Sequence, residues 1–114
     1  MLDGMTQDGL LLRIYIAEST LISDKPGYRF LVDYFMKHGL TGCTVYRGMG
    51  GFGHENKLRT VDVFQFSLDL PVIVDVIDTP EKIRDILPEV ERMIDDGLVT
   101  IQEVQMIRKI PGKK

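Results

Sequence analysis

Hydrophobic positions change period several times along the chain, and each change marks an element. Residues 1–9 carry no period and read as a flexible leader. In residues 10–18, LLLRIYIAE, one face holds Leu10, Leu12, Ile14 and Ile16 and the other holds Arg13. Apolar residues on both faces predict a central strand. Ser23-Asp24-Lys25-Pro26 then offers helix caps and a first-turn proline. Phe30, Leu31, Tyr34, Phe35 and His38 follow at helical spacing, which predicts a helix over about residues 26–38, with Gly39 as its left-handed terminator. GCTVYRG predicts a second strand over about 42–48. An excursion follows over residues 48–70. Its second half, VDVFQFSLDL at 61–70, lines up Phe64, Phe66, Leu68 and Leu70 and reads either as a strand or as an ordered arm.

Pro71 makes a break, and residues 72–77 predict the third main strand. Thr79-Pro80-Glu81 combines a capping hydroxyl, a first-position proline and an acid at the positive end of the helix dipole. The apolar stripe of Ile83, Ile86, Leu87, Val90, Met93 and Ile94 extends that helix until shortly before Gly97. Pro88 lies inside it, removes one backbone donor, and predicts a bend. Leu98–Ile110 predicts the last strand, and 111–114 is a basic tail.

This order describes two βαβ units in a single domain over residues 10–110. The expected fold is α+β, a ferredoxin-like βαββαβ sandwich with a four-stranded antiparallel sheet and both helices on one face. The other face, which carries either Ile73 and Ile77 or Val72 and Val74, has no helix to cover it. A large bare apolar face predicts oligomers.

Composition narrows the class. With 44% apolar residues the chain builds a core without help from disulfides, and a single cysteine, Cys43, forms no internal bridge. A reducing, cytoplasmic setting is expected. No apolar run approaches the ~18 residues of a membrane span, and the opening residues lack the basic segment of a secretory signal. The net charge of −3 is uneven. Residues 42–61 carry +2, residues 62–103 carry −8 from eleven acids against three bases, and residues 104–114 carry +4. An acidic body with two short basic segments suits a small anion and argues against nucleic acid as a partner.

The segments LLRIYIAE, GYRFLVDYFMKHGLTGCTVYRGMGGFG, LDLPVIVDVIDTPEKIRDILPEVERM and GLVTIQEV together resemble the domain-of-unknown-function 190 family. The most distinctive piece is Gly42 to Gly48 followed by Gly50-Gly51-Phe52-Gly53. That family is similar in fold to the PII signalling proteins and to CutA proteins. The resemblance covers about residues 10–108 and implies a PII-like homotrimer. It further implies adenine nucleotides in clefts between subunits, and a loop between the second and third strands that contacts a target. Relatives are often encoded near fluoride exporters, which points to an ion-stress context. A membrane transporter or another target protein is the expected partner. One departure is evident. Asp95-Asp96-Gly97-Leu98 replaces the glycine-rich phosphate loop of PII proteins, and two acids there repel a triphosphate. AMP or ADP is therefore the expected ligand, with no required cofactor.

The candidate ligand residues are Arg47, Gly48, Gly50, Gly51, Phe52, Gly53, His54, Arg108 and Lys109. Arginine offers paired, charge-assisted donors to an anion, and the glycines either form a nest of N–H groups or mark a bend where the strand leaves the sheet. Under the resemblance, Arg108 and Lys109 at the end of the last strand contact phosphates, Phe52 shelters the base, and His54 to Arg59 carry the response. His54 with Glu55 is too small a set to hold a metal. His38 reads as structural, Cys43 as a small buried residue, and Met36, Met93 and Met106 as core. Asp69, Asp75 and Asp78 read as solvated or edge carboxylates. An acylphosphatase-like enzyme needs an arginine and a side-chain amide between the first strand and first helix, and residues 18–27 contain neither. The expected protein is not an enzyme. The alternative is a CutA-like structural or metal-handling trimer.

Overall fold

A computed structural model describes residues 6–53, 59–60, 69–109 and 111. Its elements are β1 (Gln7–Ala17), β2 (Leu21–Ile22), β3 (Lys25–Pro26), α1 (Gly27–Lys37), β4 (Thr44–Arg47), β5 (Gly50–Gly51) and β6 (Arg59–Thr60). They continue with β7 (Pro71–Asp78), α2 (Pro80–Met93) and β8 (Leu98–Met106). The main sheet has the order β4-β7-β1-β8 with every pairing antiparallel. This is the expected ferredoxin-like sandwich.

Register decides which side chains meet the helices. Leu12 lies opposite Val76 and Ile14 opposite Val74, so the even-numbered residues of the two central strands share a face. Against them α1 buries Leu31 and Phe35, and α2 buries Ile83, Ile86 and Val90. Each fully buried aliphatic side chain contributes about 1.5–3 kcal/mol relative to exposure. The odd-numbered face holds Leu11, Arg13 and Tyr15 of β1 opposite Ile77, Asp75 and Ile73 of β7. Tyr46 and Leu98 extend it toward the two edges. Neither helix covers this face, and Tyr15, Tyr46, Ile77 and Leu98 on it are all exposed.

Helix ends follow from local chemistry. Gly39 (φ 80) turns the chain out of α1 while its N–H bonds the Met36 carbonyl and the Leu40 N–H bonds the Phe35 carbonyl. That paired geometry is a Schellman motif, and it leaves Leu40 buried. Thr79 caps α2 by accepting from the Lys82 N–H, with Pro80 following it.

Several expectations shift. Ser23 and Asp24 do not cap α1, whose cap position is Pro26 with no side-chain bond. Both have positive φ (51 and 65) and close the two-residue turn between β2 and β3. Gly9 is not in a leader but inside β1, paired with Val104 of β8, and the Met106 side chain lies against it. Pro71 opens β7 rather than breaking the chain before it, a first-strand position where a missing N–H costs little. Met36 is exposed rather than core. The predicted strand or arm at 61–70 falls, over 61–68 including Phe64 and Phe66, outside the described residues, as do His54 and Glu55.

Candidate functional site

The excursion leaves the sheet at the end of edge strand β4 and returns at the start of β7, so its two feet stand side by side. Arg47 pairs with Val72 in the ladder, and the Gly48 N–H donates to the Pro71 carbonyl at 2.7 Å. Beyond it β5 and β6 continue as a separate ribbon, with Gly50 opposite Thr60 and Gly51 opposite Arg59. Gly51 has φ 153, a conformation that favours glycine. The strand leaves the main sheet over Gly48–Gly51.

Beside the near foot is an open cleft of about 210 Å³ lined by Glu18, Tyr28, Val45, Tyr46, Arg47 and Val72. Edge strand β4 supplies three of these, the turn after β1 supplies Glu18, and the first turn of α1 supplies Tyr28. Arg47 Nη2 meets Glu18 Oε2 at 2.6 Å. The arginine side chain remains 61% exposed, so it is presented to solvent at the cleft and not buried in the pair.

The remaining predicted residues do not all converge here. Phe52 and Gly53 lie just past the ribbon and are exposed. Arg108 and Lys109 come after β8, which ends at Met106 rather than running to residue 110. They occupy the opposite corner of the sheet. Met106 pairs with Gln7 at the beginning of β1, whereas Arg47 pairs with Val72, which pairs with Ile16 near its end. That separation is roughly 30 Å along the strands and about 14 Å across them. One chain therefore cannot close Arg47 and Arg108 on the same small anion.

Three polar clusters were not legible as such. On the open face Arg13 grips Asp75 with two bonds of 2.8 and 2.9 Å, and the Tyr46 hydroxyl donates to the same carboxylate at 3.0 Å. The Arg13 contact holds the Asp75 carboxyl below its usual range despite partial burial, with the Tyr46 bond adding to it. Asp78 accepts from the Thr41 N–H and hydroxyl at 2.9 Å each and from the Thr79 N–H at 2.8 Å. Asp69 accepts from the Ser19 N–H and hydroxyl at 2.9 and 2.7 Å. These three acids are structural anchors and not merely solvated carboxylates. The signal for the first was a lone arginine in LLLRIYIAE and the first of the two aspartates in VIVDVID, at the middle of its strand. Glu18 carried no sequence signal.

Cys43 is half-buried, and its thiol is pushed up to about 11, by burial first and by Asp75 second. It is a protonated, weakly reactive thiol at neutral pH. His38 has a structural role, its Nδ1 lying 2.9 Å from the Tyr34 carbonyl and its ring over the Tyr34 ring. Among the described residues no three His, Cys, Asp or Glu side chains gather to hold a metal ion. Among the same residues no helix is long and apolar enough to cross a membrane.

Known proteins agree with this architecture. The structure superposes on CPII, a nitrogen regulatory PII-like protein from Thiomonas intermedia K12 bound to ADP, AMP and bicarbonate. The TM-score is 0.62 at 17% identity, over 90% of this chain and 92% of that one. It also superposes on a candidate PII-like signalling protein from Thermus thermophilus, with a TM-score of 0.64 at 17% identity and the same coverage. At these identities the likeness establishes a PII-like fold. In sequence, a UPF0166 protein of Aquifex aeolicus is 37% identical over 97 residues, 85% of this chain and 91% of that protein. A family model described as "Uncharacterized ACR", DUF190, matches residues 9–106. By that match and that identity, the chain belongs to the DUF190 family.

Proposed function

We propose that this protein is a PII-like regulator, not an enzyme, that binds AMP or ADP in a cleft completed by a second copy of itself. The supporting observation is where the cleft lies. It opens at the near foot of the excursion, beside an exposed arginine, so a ligand seated there touches the segment placed to signal. The volume of about 210 Å³ is smaller than the roughly 300–1,000 Å³ typical of complete ligand sites. A partner wall is needed, and the uncovered sheet face supplies the reason for partners to be there. Three-fold association hides that face and lets a neighbouring copy bring Arg108 and Lys109 toward the cleft from their distant corner. Arg47 then holds a phosphate, Tyr28 or Phe52 shelters the base, and the glycines and His54 complete the proposed ligand set. The single Cys43 suits the cytoplasm, where a transporter or another protein would be the target.

Titration calorimetry with AMP, ADP and ATP tests this. The expected result is saturable heat with AMP or ADP, weaker with ATP, and at least tenfold weaker binding in Arg47→Ala, in keeping with ~1.5–3 kcal/mol for a charged hydrogen bond. Absence of heat with all three up to millimolar concentration rejects the nucleotide and leaves a CutA-like assembly without one.

A further inference from the structure

Glu18 sits at a fixed point of the molecule. It and Ser19 are the central residues of a turn closed by the Thr20 N–H on the Ala17 carbonyl at 3.0 Å. The Ala17 N–H bonds Thr20 Oγ1 at 3.1 Å, and the Gly27 N–H of α1 bonds the Thr20 carbonyl at 2.7 Å. From this braced turn, contacts reach both feet of the excursion. The Glu18 N–H donates to the Leu70 carbonyl at 2.9 Å, and Ser19 holds both carboxylate oxygens of Asp69. The Glu18 carboxylate holds Arg47 on the other foot. Among the described residues the turn thus ties the far foot by the Leu70 and Asp69 hydrogen bonds and the near foot by the exposed Arg47–Glu18 ion pair.

We infer that Glu18 is an internal competitor for the anion that Arg47 receives, and that displacing it unties the near foot from the turn and leaves it held by the β4–β7 ladder alone, while the far foot stays bound to the turn. This rests on the proposed nucleotide site only for the identity of the anion. A phosphoryl group on the guanidinium would stand within a few Å of the Glu18 carboxylate, and two like charges at that distance disfavour each other. One must withdraw. Glu18 is the one that yields, because side chains 61% and 27% exposed form a weak, solvent-screened pair. The Gly48 amide, next in sequence to Arg47, keeps its bond to Pro71 but loses the restraint that the turn placed on its neighbour. Ligand occupancy becomes a change in how firmly β4 delivers the chain into β5.

The test combines amide hydrogen exchange at Gly48, Gly50 and Gly51 with calorimetry, on the native protein and on Glu18→Gln, using ADP and inorganic pyrophosphate. The substituted amide retains the shape of the side chain and loses its charge. Exchange at these amides is expected to be about two- to fivefold faster in Glu18→Gln, the range of an exposed ion pair, and native protein saturated with ADP should approach that rate. Both probes should bind about two- to fivefold tighter to Glu18→Gln than to native protein. Unchanged exchange in Glu18→Gln overturns the tie between the feet. Equal or weaker binding of both probes in the variant overturns the competition. Faster exchange with tighter pyrophosphate binding, but no ADP binding to either protein, upholds the inference and removes the nucleotide reading instead.

Discussion

Asp78 shows how far one buried carboxylate departs from its appearance in the sequence. It is only 3% exposed, yet it sits where β7 ends, α2 begins and the β4 approach passes, and three donors converge on it. Burial is the largest single influence and pushes its pKa up, but the Thr41 and Thr79 hydrogen bonds together outweigh it and the net shift is downward. A carboxyl lowered by folding adds stability that is complete above the unfolded value of about 4 and is lost as pH falls through the folded value. Asp78→Asn places an amide NH2 or a single carbonyl against donors on both oxygens. It should cost about 1–3 kcal/mol near pH 7. Urea midpoints measured from about pH 7 to about pH 2.5 should fall less steeply below about pH 4 in the variant than in the native protein. Parallel profiles would show that Asp78 does not contribute to the acid limb.

At the scale of elements, strands and helices were readable wherever one period persisted. LLLRIYIAE, VIVDVID and the Ile83–Ile94 stripe each place their apolar positions where the register and the helix contacts put them. Ends were harder, because the same chemistry serves two purposes. Ser and Asp before a helix suit a cap, but they also tolerate the left-handed turn that β2 and β3 require, and only the pairing of Leu21 with Pro26 decides between them. Gly9 looked like leader because nothing local reveals that Met106, 97 positions away, covers it. Gly97 is the firmest case of a close approach. A Cβ there would come within 2.6 Å of the Tyr15 carbonyl oxygen, which belongs to the central strand and cannot move aside. Gly97→Ala should therefore destabilise by about 1–3 kcal/mol, as overpacking does. Equilibrium unfolding in urea reads this directly, and a midpoint equal to that of the native protein would refute the contact.

Over the whole molecule, the half of the candidate site on one foot was legible and the half across the cleft was not. Arg47 announced itself by standing before the glycines, while Glu18 is 29 residues away and depends on the turn after β1. Arg108 and Lys109 looked like neighbours of Arg47 only through a resemblance to trimers, and the strand order sets them at opposite corners of one chain. The element order predicted an uncovered face but left open whether Ile73 and Ile77 or Val72 and Val74 lay on it; register assigns the first pair and adds the Arg13–Asp75–Tyr46 cluster at its centre. If a copy of the chain covers this face, as proposed, the half-buried pair would favour a single register. Ile73 lies between Tyr15 and Tyr46 on that face. Ile73→Asp buries an unpaired charge if the face is covered, so the variant should sediment as a single chain while retaining its circular dichroism. An unaltered assembly would mean that another surface joins the copies.

Native mass spectrometry of the protein with and without ADP tests assembly and ligand together. Chains of 13.0 kDa should appear as a trimer near ~39 kDa that takes up as many as three ADP molecules and loses that uptake in Arg47→Ala. A lone 13.0 kDa chain at micromolar concentration, carrying no nucleotide, would contradict the account.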